Sequence, residues 1–154
     1  MALGLLLAPV LAFALGRRVV VRGWSMAPAL ASGEYVLFDR LGGRLLPVRS
    51  GDIVLARNPR AEPPLVIKRI AAGPGDVVQV ADGVWVNGRF SGDGGRPLPD
   101  GAQAWALGRD EYFLLGDALD MSTDSRDYGP VRRNAIKGRA WLVYWPPRAI
   151  RWLR

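Results

Sequence analysis

The stretch Val77-Val-Gln-Val-Ala-Asp-Gly-Val-Trp-Val86 contains two runs of strand-forming residues separated by a turn sequence. Val77 to Val80 and Val84 to Val86 are rich in β-branched side chains, and Asp82-Gly83 is a dipeptide typical of tight hairpin turns. The stretch therefore predicts a β-hairpin. Similar short runs, broken by glycine and proline, follow one another from Glu34 onward, without a helical period longer than two turns.

The remaining predicted strands share β-branched or aromatic residues bounded by turn-forming residues. They are Tyr35 to Asp39, Asp52 to Arg57, Leu65 to Ala71, Tyr112 to Leu115 and Ile136 to Tyr144. The segment from Ser91 to Ala104 is rich in Gly, Pro and Asp and predicts a long irregular loop. Short strands with this turn spacing favour a mostly β fold, a compact barrel or a folded sheet, over a parallel α/β architecture.

The N-terminal segment Ala2 to Gly16 is uncharged and almost wholly apolar. It is shorter than the ~20 residues that a spanning helix needs, but Val19 to Val21 extend it if Arg17-Arg18 reach the interface. We expect a short membrane anchor over residues 1–21 and one β-rich domain over residues 22–154. A cleavable secretory signal and a buried core helix are the alternatives. Because the arginines follow the apolar segment, the positive-inside rule would leave the rest of the chain in the cytoplasm.

The composition excludes several kinds of site and partner. The 154 residues include no cysteine and no histidine, which excludes disulfides and thiolate metal sites, and we expect no metal and no cofactor. The net charge of +7 suits either nucleic acid or anionic lipid headgroups. The basic residues are scattered, however, with no run longer than a pair of arginines. We therefore expect membrane lipid as a partner and no nucleic acid.

Without histidine and cysteine, a serine nucleophile at neutral pH needs a lysine that has lost its proton, because arginine stays charged. The chain contains two lysines, Lys68 and Lys137. Lowering a lysine pKa from about 10.4 to about 8 costs about 3 kcal/mol, which apolar burial must supply. In a strand, Lys68 shares a face with Val66 and Ile70, whereas Lys137 shares a face with Arg139. This comparison favours Lys68 and leaves Lys137 open, since a cationic neighbour can also lower a lysine pKa.

Ser25 is a candidate nucleophile because of its flanking residues. Gly23 precedes it and Pro28 follows it, which predicts a tight, irregular turn that exposes the hydroxyl. Such a turn also directs backbone N–H groups into one spot, as an oxyanion hole requires. A capping or turn serine is the alternative.

Four ordered segments resemble the sequence boxes of bacterial type I signal peptidases, the Ser/Lys endopeptidases that remove signal peptides. They are Gly23-Trp-Ser-Met-Ala-Pro-Ala-Leu30 with Ser32-Gly33-Glu34, Gly51-Asp-Ile-Val54, Val66-Ile-Lys-Arg-Ile70 with Gly73-Pro-Gly-Asp76, and Gly116-Asp117 with Ser122-Thr-Asp-Ser-Arg-Asp-Tyr-Gly-Pro130. The resemblance covers most of the chain after residue 22. It implies a membrane-tethered, mostly β catalytic domain on the extracytoplasmic face, with signal peptides of exported preproteins as partners.

By this resemblance, Ser25 is the nucleophile, its backbone N–H is the oxyanion donor, and Lys68 is the general base of an acyl-enzyme mechanism. Ser122 would hydrogen-bond Lys68 and orient its amine. The other supporting residues would be Gly23, Met26, Asp117, Asp124, Arg69 and Arg126. The charged members of this set would form ion pairs that hold the site in shape, and ordinary surface pairing of little energetic value is the alternative.

Two positions depart from the pattern of the family. Gly23 stands where some relatives carry a serine whose hydroxyl helps to bind the oxyanion, and Ala118 stands where many carry asparagine. Two other functions stay open beside removal of signal peptides in general. One is a dedicated Ser/Lys maturation peptidase for a single exported precursor, and the other is a non-enzymatic, membrane-anchored β domain. Trp141, Trp145 and Trp152 would either lie at the membrane interface or pack within the domain.

Overall fold

The computed structural model describes residues 16–39, 47–58, 60, 64–81, 83–91 and 101–153. These residues form twelve strands and one short α-helix, α1 (Ser125–Tyr128). The strands are β1 (Arg17–Val20), β2 (Tyr35–Phe38), β3 (Ile53–Arg57), β4 (Leu65–Ala72), β5 (Val77–Val80), β6 (Val84–Val86), β7 (Arg89–Phe90), β8 (Gln103–Ala106), β9 (Glu111–Leu115), β10 (Val131–Arg132), β11 (Ile136–Trp145) and β12 (Arg151–Trp152). Single 3-10 turns cover Leu119–Met121, Arg133–Ala135 and Pro147–Ala149. The expectation of a mostly β protein is confirmed.

The strands form two sheets. The larger sheet has the order β1-β2-β11-β3-β4-β9-β10, with β12 also paired to β11, and the smaller sheet has the order β7-β6-β5-β8. Among the described residues, no pairing joins β1 to β10, so the larger sheet is a folded sheet with open edges rather than a closed barrel.

Each predicted strand is present, and its ends differ from the prediction by at most one residue. The predicted hairpin joins β5 to β6 with Val80 opposite Val84, and Asp82 of its turn lies outside the described residues. The loop expected over residues 91–104 is wrong at its end, because Gln103–Ala106 forms β8 and pairs with β5. Backbone pairing along β5 outweighs the weak β propensity of this glutamine and alanine segment. Residues 92–100 lie outside the described residues.

Apolar side chains cover both faces of the centre of the larger sheet. All four residues from Ile53 to Ala56 in β3 are buried. Ile53 and Leu55 belong to a first core cluster, whereas Val54 and Ala56 belong to a second cluster on the other face. Lys68 of β4 is directly opposite Val54 in the pairing with β3.

The expected membrane anchor falls largely on residues 1–15, which lie outside the described residues. Its expected extension through Val19 to Val21 is wrong, because Arg17–Val20 forms β1, whose residues pair with β2 from Arg17 opposite Phe38 to Val20 opposite Tyr35. β-branched valines suit a strand, and Val21 is buried in the first cluster. Within the described part of the chain, no helix combines the length and hydrophobicity needed to cross a bilayer.

Candidate active site

Ser25 lies in a turn that connects β1 to β2. Gly23 begins this turn with φ of +83°, in the left-handed region that side-chain-bearing residues rarely adopt. Met26 and Leu30 are fully buried in the first core cluster, and the N–H of Leu30 donates to the carbonyl of Met26 at 2.8 Å. The turn is therefore anchored by its apolar residues, which leaves the half-buried Ser25 at its surface.

Gly116 and Ala118 hold the backbone of Ser25 from the other side. The N–H of Ala118 donates to the carbonyl of Ser25 at 3.1 Å. A Cβ atom added at Gly116 would lie 2.5 Å from that carbonyl oxygen and 2.5 Å from the Cβ of Ser122, and it would also overlap the Ser122 hydroxyl. Only glycine fits between these two serines. Its sequence position, just before Asp117, carried no signal of this close packing.

Lys68 is buried in β4, with a relative exposure of 3%. Its Nζ atom donates to the Oγ atom of Ser122 at 2.7 Å. Burial is the largest influence on the pKa of Lys68 and lowers it below the ordinary value, because the charged amine is taken out of water. The carboxylate of Asp124 opposes this shift, and the guanidinium of Arg126 adds to it.

Lys137 has a different environment. It is exposed on β11, and its Nζ atom donates to the backbone carbonyl of Asn134 at 2.6 Å. The structure therefore buries Lys68 within the sheet and leaves Lys137 at the surface.

Arg69 and Asp117 form a bidentate ion pair. The Nε and Nη2 atoms of Arg69 donate to the two carboxylate oxygens of Asp117 at 2.8 and 2.7 Å. The Nη1 atom of Arg69 donates to the carbonyl of Gly51 at 2.7 Å, which ties the loop before β3 to the same group. The hydrogen bonds to Asp117 raise the pKa of Arg69, so this guanidinium stays charged.

Asp124 and Arg126 form a second bidentate pair, in which Asp124 is fully buried. The Nε and Nη2 atoms of Arg126 donate to Asp124 at 2.8 and 3.0 Å, and the N–H of Gly116 donates to Asp124 at 3.0 Å. Burial raises the pKa of Asp124, but the hydrogen bonds from Arg126, Gly116 and Ser122 outweigh it and hold the pKa below the ordinary value. Asp124 also caps α1 in a capping box with Asp127.

Cavity A, about 550 Å³ in volume, contains the candidate nucleophile and the candidate base. Its walls include Ser25 and Lys68, all of β1, and Leu65 to Ile67 of β4. Among the described strands, β1 pairs only with β2, and β4 pairs with β9 only from Arg69 onward. Two edges of the described strands, one on β1 and one on the first half of β4, therefore border the cavity that contains Ser25 and Lys68.

The predicted site residues form three groups in the structure. Ser25, Gly23, Met26 and Lys68 line cavity A. Ser122 joins Lys68 to the Asp124–Arg126 pair, and the Arg69–Asp117 pair lies at a neighbouring cavity. In the described part of the chain, no three carboxylates come together as metal ligands. Chemically, a buried lysine of lowered pKa in the same cavity as a half-buried serine is suited to proton transfer.

Sequence comparison identifies relatives along most of the chain. Residues 1–145 match the family described as signal peptidase, peptidase S26. A mitochondrial ATP-independent inner membrane protease subunit 1a from Arabidopsis thaliana is 37% identical over 82% of this chain and 69% of its own length. A signal peptidase I from Bacillus caldolyticus is 31% identical over 82% of this chain and 78% of its own length.

The crystal structure of a signal peptidase I from Enterococcus faecalis has a TM-score of 0.48 and 24% identity, over 60% of this chain and 96% of that chain. The family match spans the turn of Ser25, Lys68 in β4 and the two ion pairs described above. The chain therefore belongs to the signal peptidase family, peptidase S26, and is a hydrolase of the type I signal peptidase kind.

Proposed function

We propose that this protein is a membrane-bound serine endopeptidase that removes signal peptides from exported preproteins with a Ser25/Lys68 dyad. The observation that carries this proposal is the position of Lys68, an amine buried in the cavity that Ser25 lines. Its hydrogen bond to Ser122 fixes the amine without adding a charge next to it. Burial also favours the neutral form that a base requires.

In this mechanism, neutral Lys68 takes the proton of the Ser25 hydroxyl as its oxygen attacks the scissile carbonyl. The resulting ammonium of Lys68 then protonates the leaving amine, and an ester between Ser25 and the signal peptide remains. A water molecule that gives its proton to Lys68 hydrolyses this ester and restores both side chains. One lysine therefore serves as base and acid in both halves of the reaction.

Stabilisation of the oxyanion depends on the backbone at Ser25. Gly23 has no side chain that donates a hydrogen bond, so the N–H of Ser25 is the donor that we assign. The packing of Gly116 against the Ser25 carbonyl and the bond from Ala118 hold the peptide that follows Ser25, which limits how far Ser25 and its own N–H can move.

The substrate would bind as an extended strand in cavity A. Val19 and Val20 of β1 and Leu65 to Lys68 of β4 lie along this cavity, and an extended peptide could be added there as a strand. The apolar wall formed by Leu55 and Ile67 suits small aliphatic side chains before the cleavage site. Family resemblance places small residues one and three positions before the cut.

Membrane attachment would come from residues 1–15 and from exposed aromatic side chains. Trp145 and Trp152 are 52% and 66% exposed, and Trp152 stacks on Trp141 with ring centroids 5.4 Å apart. Exposed tryptophans favour the headgroup region of a bilayer. We place the domain on the extracytoplasmic side, and protease accessibility of the C-terminus in intact cells tests this orientation.

The test of the dyad is processing of a preprotein in detergent by wild type and three variants. We expect Ser25→Ala to abolish cleavage and Lys68→Ala to reduce kcat by about 10²- to 10⁴-fold. Lys137→Ala is the matched control, because it removes the other lysine of the chain, which is exposed. Activity that survives in Lys68→Ala but falls in Lys137→Ala would reverse our assignment of the base.

The second candidate function is cleavage of a narrower range of substrates. Several relatives are named as subunits of an inner membrane protease, rather than as general signal peptidases. A cleavage assay on a panel of unrelated signal peptides distinguishes the two functions. Cleavage of a single precursor would indicate a dedicated maturation peptidase. Membership in a peptidase family speaks against the non-enzymatic alternative.

A further inference from the structure

A second cavity, cavity B, lies on the far side of the Ser25 turn from cavity A. It has a volume of about 580 Å³, and its walls include Pro28, Ala29, Arg69, Asp117 and Leu119. The family resemblance and the proposed dyad give this space no role. Its volume is similar to that of cavity A, so it has room for a peptide segment of several residues.

The two cavities follow one another along β4, because residues 65–68 line cavity A and residues 69–71 line cavity B. Alternate residues of a strand share a face, and the face with Leu65 and Ile67 at cavity A continues with Arg69 and Ala71 at cavity B. Val66, Lys68 and Ile70 of the other face also reach these walls. The pairing with β3 agrees, because Leu55 is opposite Ile67 and lines cavity A with it. A groove along this face therefore contains cavity A first and cavity B next.

The Ser25 turn lies across this face between the two cavities. Its first part, Ser25 and Met26, lines cavity A, and its second part, Pro28 and Ala29, lines cavity B. Met26 belongs to the first core cluster, and Ala29 packs against the same cluster as Ile67. The candidate nucleophile is thus located where one cavity gives way to the other.

We propose that cavity B binds the segment of the preprotein that follows the scissile bond. This inference rests on the proposed function, in which the residues before the cut lie in cavity A. An extended chain advances about 3.3 Å per residue, so a peptide whose scissile carbonyl is at Ser25 continues directly past the turn. Cavity B is the space that the same face of β4 offers to it.

The charges of cavity B indicate what kind of segment it takes. Of the lining residues that the structure describes, Arg69 and Asp117 are charged, and they are paired with each other at 2.7 Å. The other lining residues are apolar, small or hydroxyl-bearing, such as Leu115 and Ser50. Cavity B therefore suits uncharged residues at the start of the mature protein. The lining of cavity A differs, because it includes Arg17, Arg18 and Arg22.

The test introduces a charge into cavity B and measures a reciprocal response in the substrate. Leu119 lines the cavity and is 38% exposed, so Leu119→Lys and Leu119→Glu place opposite charges there without opening the core. Two peptides share every residue before the cut and carry either Glu or Lys at the second and third positions after it. We expect wild type to cleave both with similar kcat/KM. Leu119→Lys should favour the Glu peptide and Leu119→Glu the Lys peptide, each by roughly 2- to 5-fold.

Ser50→Lys and Ser50→Glu provide a second pair at the opposite wall and should show the same reversal. Gln103→Lys and Gln103→Glu are the matched controls, because Gln103 is exposed on β8 and lines neither cavity. If wild type cleaves both peptides but the Leu119 and Ser50 variants show no reversal of peptide preference, this inference is overturned and the proposed function is not. A reversal that follows charges placed before the cut would overturn it as well. Failure of wild type to cleave any signal peptide would overturn the proposed function and this inference together.

Discussion

Gly116→Ala should inactivate the enzyme while leaving it folded. The added carbon would lie 2.5 Å from the carbonyl oxygen of Ser25 and from the Cβ of Ser122, and ordinary contact begins at 3.4 Å, so each group must retreat by about 0.9 Å. Both groups are held, Ser25 by Ala118 and Ser122 by Lys68. A displacement of about 1 Å at a reacting group reduces the rate by roughly 10²-fold, and overpacking of this kind costs about 1–3 kcal/mol.

The assay is kcat for cleavage of a signal-peptide substrate in detergent, together with the midpoint of thermal unfolding. We expect kcat to fall about 100-fold, and Tm to fall by roughly 2–12 °C, since 1 kcal/mol corresponds to about 2–4 °C in a chain of this size. Gly108→Ala is the control, because its Cβ would meet only the flexible carboxylate of Glu111 at 3.4 Å. A Gly116→Ala protein with lowered Tm and wild-type kcat would contradict this expectation, since the strain would then not reach Ser25 or Ser122.

Three further outcomes follow from the charged groups. The rate of signal-peptide cleavage should rise with pH through the pKa of Lys68 and level off at a pH below the ordinary lysine pKa, because burial favours the neutral amine. A flat pH–rate profile would contradict this. Asp124→Asn should destabilise the protein at neutral pH by about 3 kcal/mol, measured by urea unfolding, since it leaves Arg126 without its buried partner. The folded-state pKa of Asp124 is depressed, so its contribution to stability is present above the ordinary aspartate pKa of about 3.9 and is lost as the pH falls through the folded-state pKa. An equal difference in unfolding free energy between wild type and Asp124→Asn at pH 7 and at pH 2 would argue against this. Arg69→Lys should cost only about 1 kcal/mol in the same urea assay, because the ion pair with Asp117 is partly exposed. Lysine keeps the positive charge but loses the two parallel hydrogen bonds of the guanidinium. A loss as large as that of Asp124→Asn would show that the pair is more shielded from water than its exposure indicates.

The strands were predictable because their signal is local. Val77 to Val86 combines β-branched residues with a turn dipeptide, and the structure shows the hairpin there. The burial of Lys68 was predictable for the same reason, since the alternation with Val66 and Ile70 lies within one strand. The strand β1 was not, because two arginines after an apolar run resemble a membrane flank, and only pairing with β2 defines it as a strand.

The geometry of the site depends on contacts between distant parts of the sequence. Lys68 and Ser122 are 54 positions apart, and the bond between them depends on how β4 meets the segment after β9. The role of Gly116 likewise appears only where the Ser25 turn and Ser122 approach it from opposite sides. The sequence did not indicate cavity B, because the cavity forms only where the Ser25 turn lies against β4, a strand distant from it in the sequence.

The adjacency of Lys68 and Arg69 makes strand register a condition of the activity that we propose. Lys68 is opposite Val54, and Arg69 is opposite Ile53. A slip of one residue between β3 and β4 would turn each side chain to the other face and bring either the guanidinium of Arg69 or the apolar side chain of Ile67, neither of which accepts a proton, to the position of the proposed base. Since a guanidinium does not lose its proton in proteins, such a misfolded protein would be inert even with both strands formed. Under the proposed dyad, correct pairing of β3 with β4 and the presence of a titratable base are therefore one and the same requirement.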